Sequence, residues 1–200
     1  MIVDQYQRNP NKHTPVLTFN YDDLLERSLT TALIDANLPH VTFHVITSAS
    51  QYVEMRRLPG IYIYHLHGFI DHADRTILDA QSFQPVLAGD HWSWLCLEHY
   101  FTDDQHLPLF IGLSLSDPSL RYLLTKWAAR REPVAGVYIA APPAVPKTTS
   151  ASLQARRELA FLYRELLTLY DEVLRQLLLV AYHVSSWDEI VPILKFVQRG

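Results

Sequence analysis

Short apolar runs, each followed by a longer amphipathic stretch, recur along this chain, and that repeating unit leaves few folds open. PVLTFN (15–20), VTFHVITS (41–48), IYIYHLHG (61–68), LPLFIGLS (107–114), AGVYIAAP (135–142) and LLLVAYHV (177–184) read as strands. YDDLLERSLTTALIDANL (21–38) reads as a helix, with Leu24, Leu25, Leu29 and Leu33 near helical spacing and acids in its first turn. HWSWLCLEHYF (91–101), DPSLRYLLTKWAARR (117–131), LQARRELAFLYRELLTLYDEVLRQ (153–176) and SSWDEIVPILKFV (185–197) read as further helices. Strands alternating with helices predict an α/β fold with a mostly parallel sheet and helices on both faces.

A chain of 200 residues with 48% hydrophobic content suits a single domain over 1–200 with a buried core. The proline-rich PPAVPKTTSAS (142–152) reads as an exposed loop within that domain, because the chain beyond it is too short to form a second one. A net charge of −4 without a long basic run argues against direct nucleic-acid binding. Cys96 is the only cysteine, which excludes an internal disulfide and a cysteine-cluster zinc site. No uncharged apolar stretch reaches the roughly 18 residues that span a bilayer. The start, MIVDQYQRNPNKH, lacks the apolar core of a signal peptide, so a cytoplasmic protein off the membrane is expected.

Ligands of open parallel sheets bind beyond the carboxyl ends of the strands. Three such ends carry polar groups: Asn20 with Asp22 and Asp23, His67 with Gly68, and Gly112 and Ser114 with Ser116 and Asp117. Each has a plain structural explanation. Asn20 and Asp117 suit helix caps, and a lone histidine at a strand end is usually structural. Their coincidence at one sheet edge favours a site. His65 shares the face of His67 by the period of two, and either lines the pocket or packs beneath it. The two histidines lack third and fourth partners at recognisable metal-ligand spacing, so no zinc is expected.

TFNYDDLLE resembles the T-x-N-[YF]-D element of sirtuin-like (SIR2) proteins, HLHG their catalytic-histidine motif, and FIGLSLSDPSL their F-I-G-x-S-x-x-D element. Order and spacing are similar to those of SIR2-like domains in bacterial anti-phage defence proteins, over about Val16 to Val197. The resemblance implies a Rossmann-like fold and an NAD hydrolase acting in defence or stress. It implies that Asn20 positions water and the nicotinamide ribose, that His67 is the base, and that Asp22 lies near the nicotinamide. Gly112 and Ser114 would contact the cofactor, with Gly68 and Asp117 alongside.

One family element is missing. None of the six glycines (Gly60, Gly68, Gly89, Gly112, Gly136, Gly200) is close enough to another to build the glycine-rich phosphate loop. About fifteen polar residues precede the first strand, too few for the strand, loop and helix expected there, so the domain reads as truncated at its N-terminus. The resemblance thus leaves two functions open: an NAD hydrolase needing the missing elements or a partner, or a degenerate subunit acting as an interaction module. The bared sheet edge should be covered by a second copy, a partner subunit, or another segment. The stripe Leu159, Leu162, Leu166 and Leu169 serves either the core or an interface.

Overall fold

A computed structural model describes residues 2–55, 58–70, 76–77, 80–102, 108–111, 118–129, 136–140, 153–177, 179–184 and 189. The chain divides into two compact units, Met1–Glu98 and His99–Gly200. The fold is α/β, as expected, and is consistent with a Rossmann-like arrangement, with the described strands forming two three-stranded parallel sheets where the sequence suggested one.

The first unit is built on β1 (His13–Thr18), β2 (Phe43–Ile46) and β3 (Gly60–His65), in the order β1-β3-β2. β3 is central because its GIYIYH is β-branched and aromatic on both faces, and Ile61–Tyr64 are all at most 1% exposed. Its odd positions, Ile61 and Ile63, join Val3 of α1 (Ile2–Arg8) and Leu29 and Leu33 of α2 (Leu24–Asp35) in one apolar cluster. Its even positions face the other way. Tyr62 stacks on His13 at 4.3 Å and on His44 at 4.9 Å, and Tyr64 meets Tyr52 of α3 (Ala49–Met55) at 6.2 Å. Helices therefore pack on both faces of the central strand.

Several boundaries differ from the sequence reading, among them the starts of β1 (13, not 15) and α2 (24, not 21) and both ends of β2 (43–46, not 41–48), and two of the differences have a clear local reason. α2 stops at Asp35, not 38, because Asn37 takes a left-handed φ of 57°. The Asn37 N–H donates to Ile34 O and the Leu38 N–H to Leu33 O, a Schellman closure with asparagine in the usual glycine place. β3 stops at His65, not 68. The Gly68 N–H returns to His65 O, and Gly68 has a φ of 99°, a conformation that a side chain disfavours. α1, α3 and α4 (Ala80–Ala88) were not anticipated.

In the second unit, β5 (Gly136–Ala140) lies between β4 (Leu109–Ile111) and β6 (Leu179–His183). α5 (Trp92–Thr102) runs across the division between the units, and α6 is Pro118–Ala128. α7 (Leu153–Gln176) has the bounds that its amphipathic pattern predicts. The hydroxyls of Tyr138 on β5 and Tyr170 on α7 lie 2.6 Å apart. Leu162, Leu166 and Leu169 are exposed, so these members of the leucine stripe do not serve the core. The expected terminal helix over 185–197 and the loop over 142–152 fall outside the described residues, apart from residue 189.

Candidate functional site

Two adjacent parallel strands bring the first two motifs together. β1 pairs with β3 so that Thr18 lies opposite His65, and the chains leaving both strands stay joined beyond the ladder. The Leu66 N–H donates to Thr18 O at 3.0 Å, and the Ile70 N–H to Tyr21 O at 2.8 Å. The Ile77 N–H donates to His67 O at 2.7 Å, and the Tyr21 hydroxyl to Ile77 O at 2.6 Å. FNY and HLHG thus form one stitched surface at the carboxyl ends of the two strands.

His67 lies in the turn after β3 and is buried, with its ring against Phe19 at 4.9 Å, edge to face, and Tyr21 at 6.4 Å. Asn20 is exposed. Its backbone N–H donates to Thr18 Oγ1, its backbone oxygen accepts from His65, and its side-chain amide makes no hydrogen bond among the described residues. It does not cap α2. Asp23 takes the N-cap position and pairs with Arg27 at 2.7 Å, while Asp22 Oδ1 accepts the Leu24 N–H at 3.3 Å. Gly68 supplies the bare backbone that lets the chain turn directly after His67.

His65 does not share a face with His67, because the period of two lapses where β3 ends. It packs beneath the surface, fully buried, with Nε2 at 2.5 Å from Glu26 Oε1 and Nδ1 at 2.9 Å from the backbone oxygen of Asn20. Phe69 closes over the ring at 4.6 Å. Both nitrogens are therefore engaged, which leaves none for a metal. Among the described residues, no group of three or more His, Cys, Asp or Glu is arranged to hold a metal ion.

Sequence reasoning missed two residues. Glu26 reads as an ordinary first-turn acid, and only the fold turns it inward onto β3. His91, immediately before α5, receives the Ser93 N–H at Nδ1, with the Ser93 hydroxyl 2.7 Å from the same atom. That acceptor role puts the hydrogen of a neutral ring on Nε2. Burial, and next the nearby charge of His67, lower the His91 pKa from its ordinary value. Nothing in DHW (90–92) signals this coupling. Gly112, Ser114 and Asp117 of the third motif lie outside the described residues.

Residues 14–166 match the family described as the SIR2-like domain, a span holding every motif quoted above. The chain belongs to the SIR2-like family. No curated protein matches it. Members of this family generally bind NAD, and the groups of the first unit suit a polar, neutral portion of such a ligand. Asn20 offers an exposed amide that makes no hydrogen bond among the described residues, and His67 an imidazole walled by aromatic rings. Among the described residues, no helix of this SIR2-like chain is long and apolar enough to cross a membrane.

Proposed function

We propose that this SIR2-like domain hydrolyses NAD at the nicotinamide–ribose bond, within a defence or stress response. The observation that carries the reading is the stitched pair of strand ends. There the loop presenting the unengaged amide of Asn20 also walls the ring of His67. In the reaction, the bond between C1′ and the pyridinium nitrogen breaks, and its electrons leave with nicotinamide. A water oxygen bonds to C1′, the water gives up a proton, and the other product is ADP-ribose. Positive charge grows on the ribose as the bond stretches, and a fixed amide dipole beside it stabilises that charge. Asn20 orients the water or a ribose hydroxyl, His67 accepts the proton, and Asp22 lies toward the departing ring. Gly112, Ser114 and Asp117 are assigned to the cofactor by the family motif alone.

Nicotinamide release from NAD by the purified chain, alone and with its natural partners, tests the reading. His67→Ala and Asn20→Ala should each lower turnover by about 10²–10⁴-fold, the usual cost of losing a general base or a donor of this kind. No release under any of these conditions, or wild-type rates in both folded variants, would sink it. NAD should bind the isolated chain weakly, because no glycine pair is spaced to cradle the pyrophosphate, and calorimetric titration measures this. Assembly with a second copy or a partner subunit belongs to the same reading, supported by the exposed leucines of α7, and light scattering checks it.

A further inference from the structure

The buried pair beneath the site carries a role that neither motif assigns. A backbone carbonyl can only accept a hydrogen bond, so the 2.9 Å contact from His65 to Asn20 O requires a hydrogen on Nδ1. A second hydrogen lies between Nε2 and Glu26 Oε1, 2.5 Å apart, whichever of the two owns it. The pair therefore holds two hydrogens, as imidazolium and carboxylate or as imidazole and carboxylic acid, and is neutral overall in either form. Glu26 Oε2 is buried and makes no hydrogen bond among the described residues. The carboxyl group is thus committed to His65 and to nothing else in the described fold.

We infer that Glu26 and His65 are positioning residues that clamp the Asn20 backbone, so that its side-chain amide faces a ligand in a fixed direction. With the second hydrogen held between Nε2 and Glu26 Oε1, the Nδ1 hydrogen stays directed at Asn20 O. That bond ties the turn after β1 to the last residue of β3, one residue from the Leu66 N–H bond to Thr18 O. Asn20 is held on both backbone sides, by Thr18 Oγ1 at its N–H and by His65 at its oxygen. Neither clamp residue need touch the ligand. Fixing a polar group to within a fraction of an ångström is the usual service of such a shell.

The catalytic part of this inference rests on the assignment of Asn20 under the proposed function, whereas the clamp itself is testable without any reaction. In ¹⁵N-histidine-labelled wild-type protein, His65 Nδ1 should carry a hydrogen, and a bare Nδ1 would overturn the clamp. His65→Phe keeps the ring and removes both bonds, so the Leu66 and Ile70 amides should exchange faster than in wild type. Unchanged exchange would also overturn it. Glu26→Gln can donate its amide N–H to Nε2 and leave the Nδ1 hydrogen in place, so it should keep wild-type protection. Glu26→Leu should lose that protection, and identical behaviour of the two variants would refute the hydrogen assignment.

For nicotinamide release, His65→Phe should lower kcat by about 10²-fold, the scale of a misplaced catalytic group, and change KM little. Glu26→Gln should restore most of what Glu26→Leu loses. The double variant His65→Phe/Asn20→Ala should be no slower than Asn20→Ala alone, because residues acting through one group are not additive. Additive losses would show that His65 supports the fold rather than Asn20. If wild type releases no nicotinamide, the proposed function fails, while the labelling and exchange results still decide the clamp.

Discussion

At the scale of single residues, the site depends on backbone geometry as much as on side chains. Gly68 follows the buried His67 with a φ of 99°, and its N–H closes the turn onto His65 O. An alanine there must adopt a conformation costing about 1–3 kcal/mol, or else move the turn. Gly68→Ala should therefore lower the unfolding free energy by that amount, as read from denaturant melts. A wild-type midpoint would mean that the turn relaxes freely. His65 and His67 show how little residue type decides by itself. The first spends both ring nitrogens on Glu26 and Asn20, and the second lies among the aromatic rings of the loop. β3 ends between those two fates, at His65, and the turn that follows closes at Gly68.

At the scale of elements, two packing relations give measurable consequences. A Cβ at Gly136 would lie 2.9 Å from Phe110 Cε2 and from Pro108 O, and 3.2 Å from a Leu179 methyl. The start of β5 is therefore filled by both neighbouring strands, and Gly136→Ala should cost about 1–3 kcal/mol by overpacking. Chemical denaturation checks this, and a neutral result would show that β4 can move aside. At the start of α5, burial, and next the charge that His67 carries when protonated, lower the His91 pKa from its ordinary value. A histidine pKa lowered by folding means that the unfolded chain binds the extra proton. Its contribution to stability is therefore complete above the unfolded value of about 6.5 and is lost as pH falls below it. His91→Asn keeps an acceptor for the Ser93 N–H and removes the titration. The variant should lose less melting temperature than wild type between pH 7.5 and 5.5, and parallel losses would remove His91 as a cause.

For the whole molecule, stability should be graded from the centre of each sheet outwards. β3 and β5 each pair on both sides in parallel ladders, and Ile61, Ile63, Tyr64 and Ile139 are fully buried. β1, β2, β4 and β6 each have one paired neighbour in the described ladders, and Val180 of β6 is 40% exposed. Amide exchange tracks the openings that expose a hydrogen bond, which are rarest in doubly paired buried strands. The slowest amides should therefore fall within 61–65 and 137–140, with those of β1 and β6 exchanging sooner. Slowest exchange in β1 or β6 would mean that those strands pair further than the ladders described.

The sequence by itself determined the class of fold, and did so through periodicity. Apolar runs such as IYIY must be buried on both faces, and the stripe of α7 follows the helical repeat, so these elements were legible, α7 to the residue. It also carried the motifs of the SIR2-like family, because TFNYD and HLHG are local strings. It did not reveal α1 and α3, which are seven residues each and bury one side chain apiece, Val3 and Tyr52. Nor did it reveal α4, because Pro85 inside that helix reads as a breaker. Only the tertiary structure decided that β3 lies between β1 and β2, and with it that Asn20 and His67 leave neighbouring strands. Only the fold could bring Glu26 onto His65 across 39 residues, since hydrogen bonding between buried groups depends on distance in space and leaves no period in the chain.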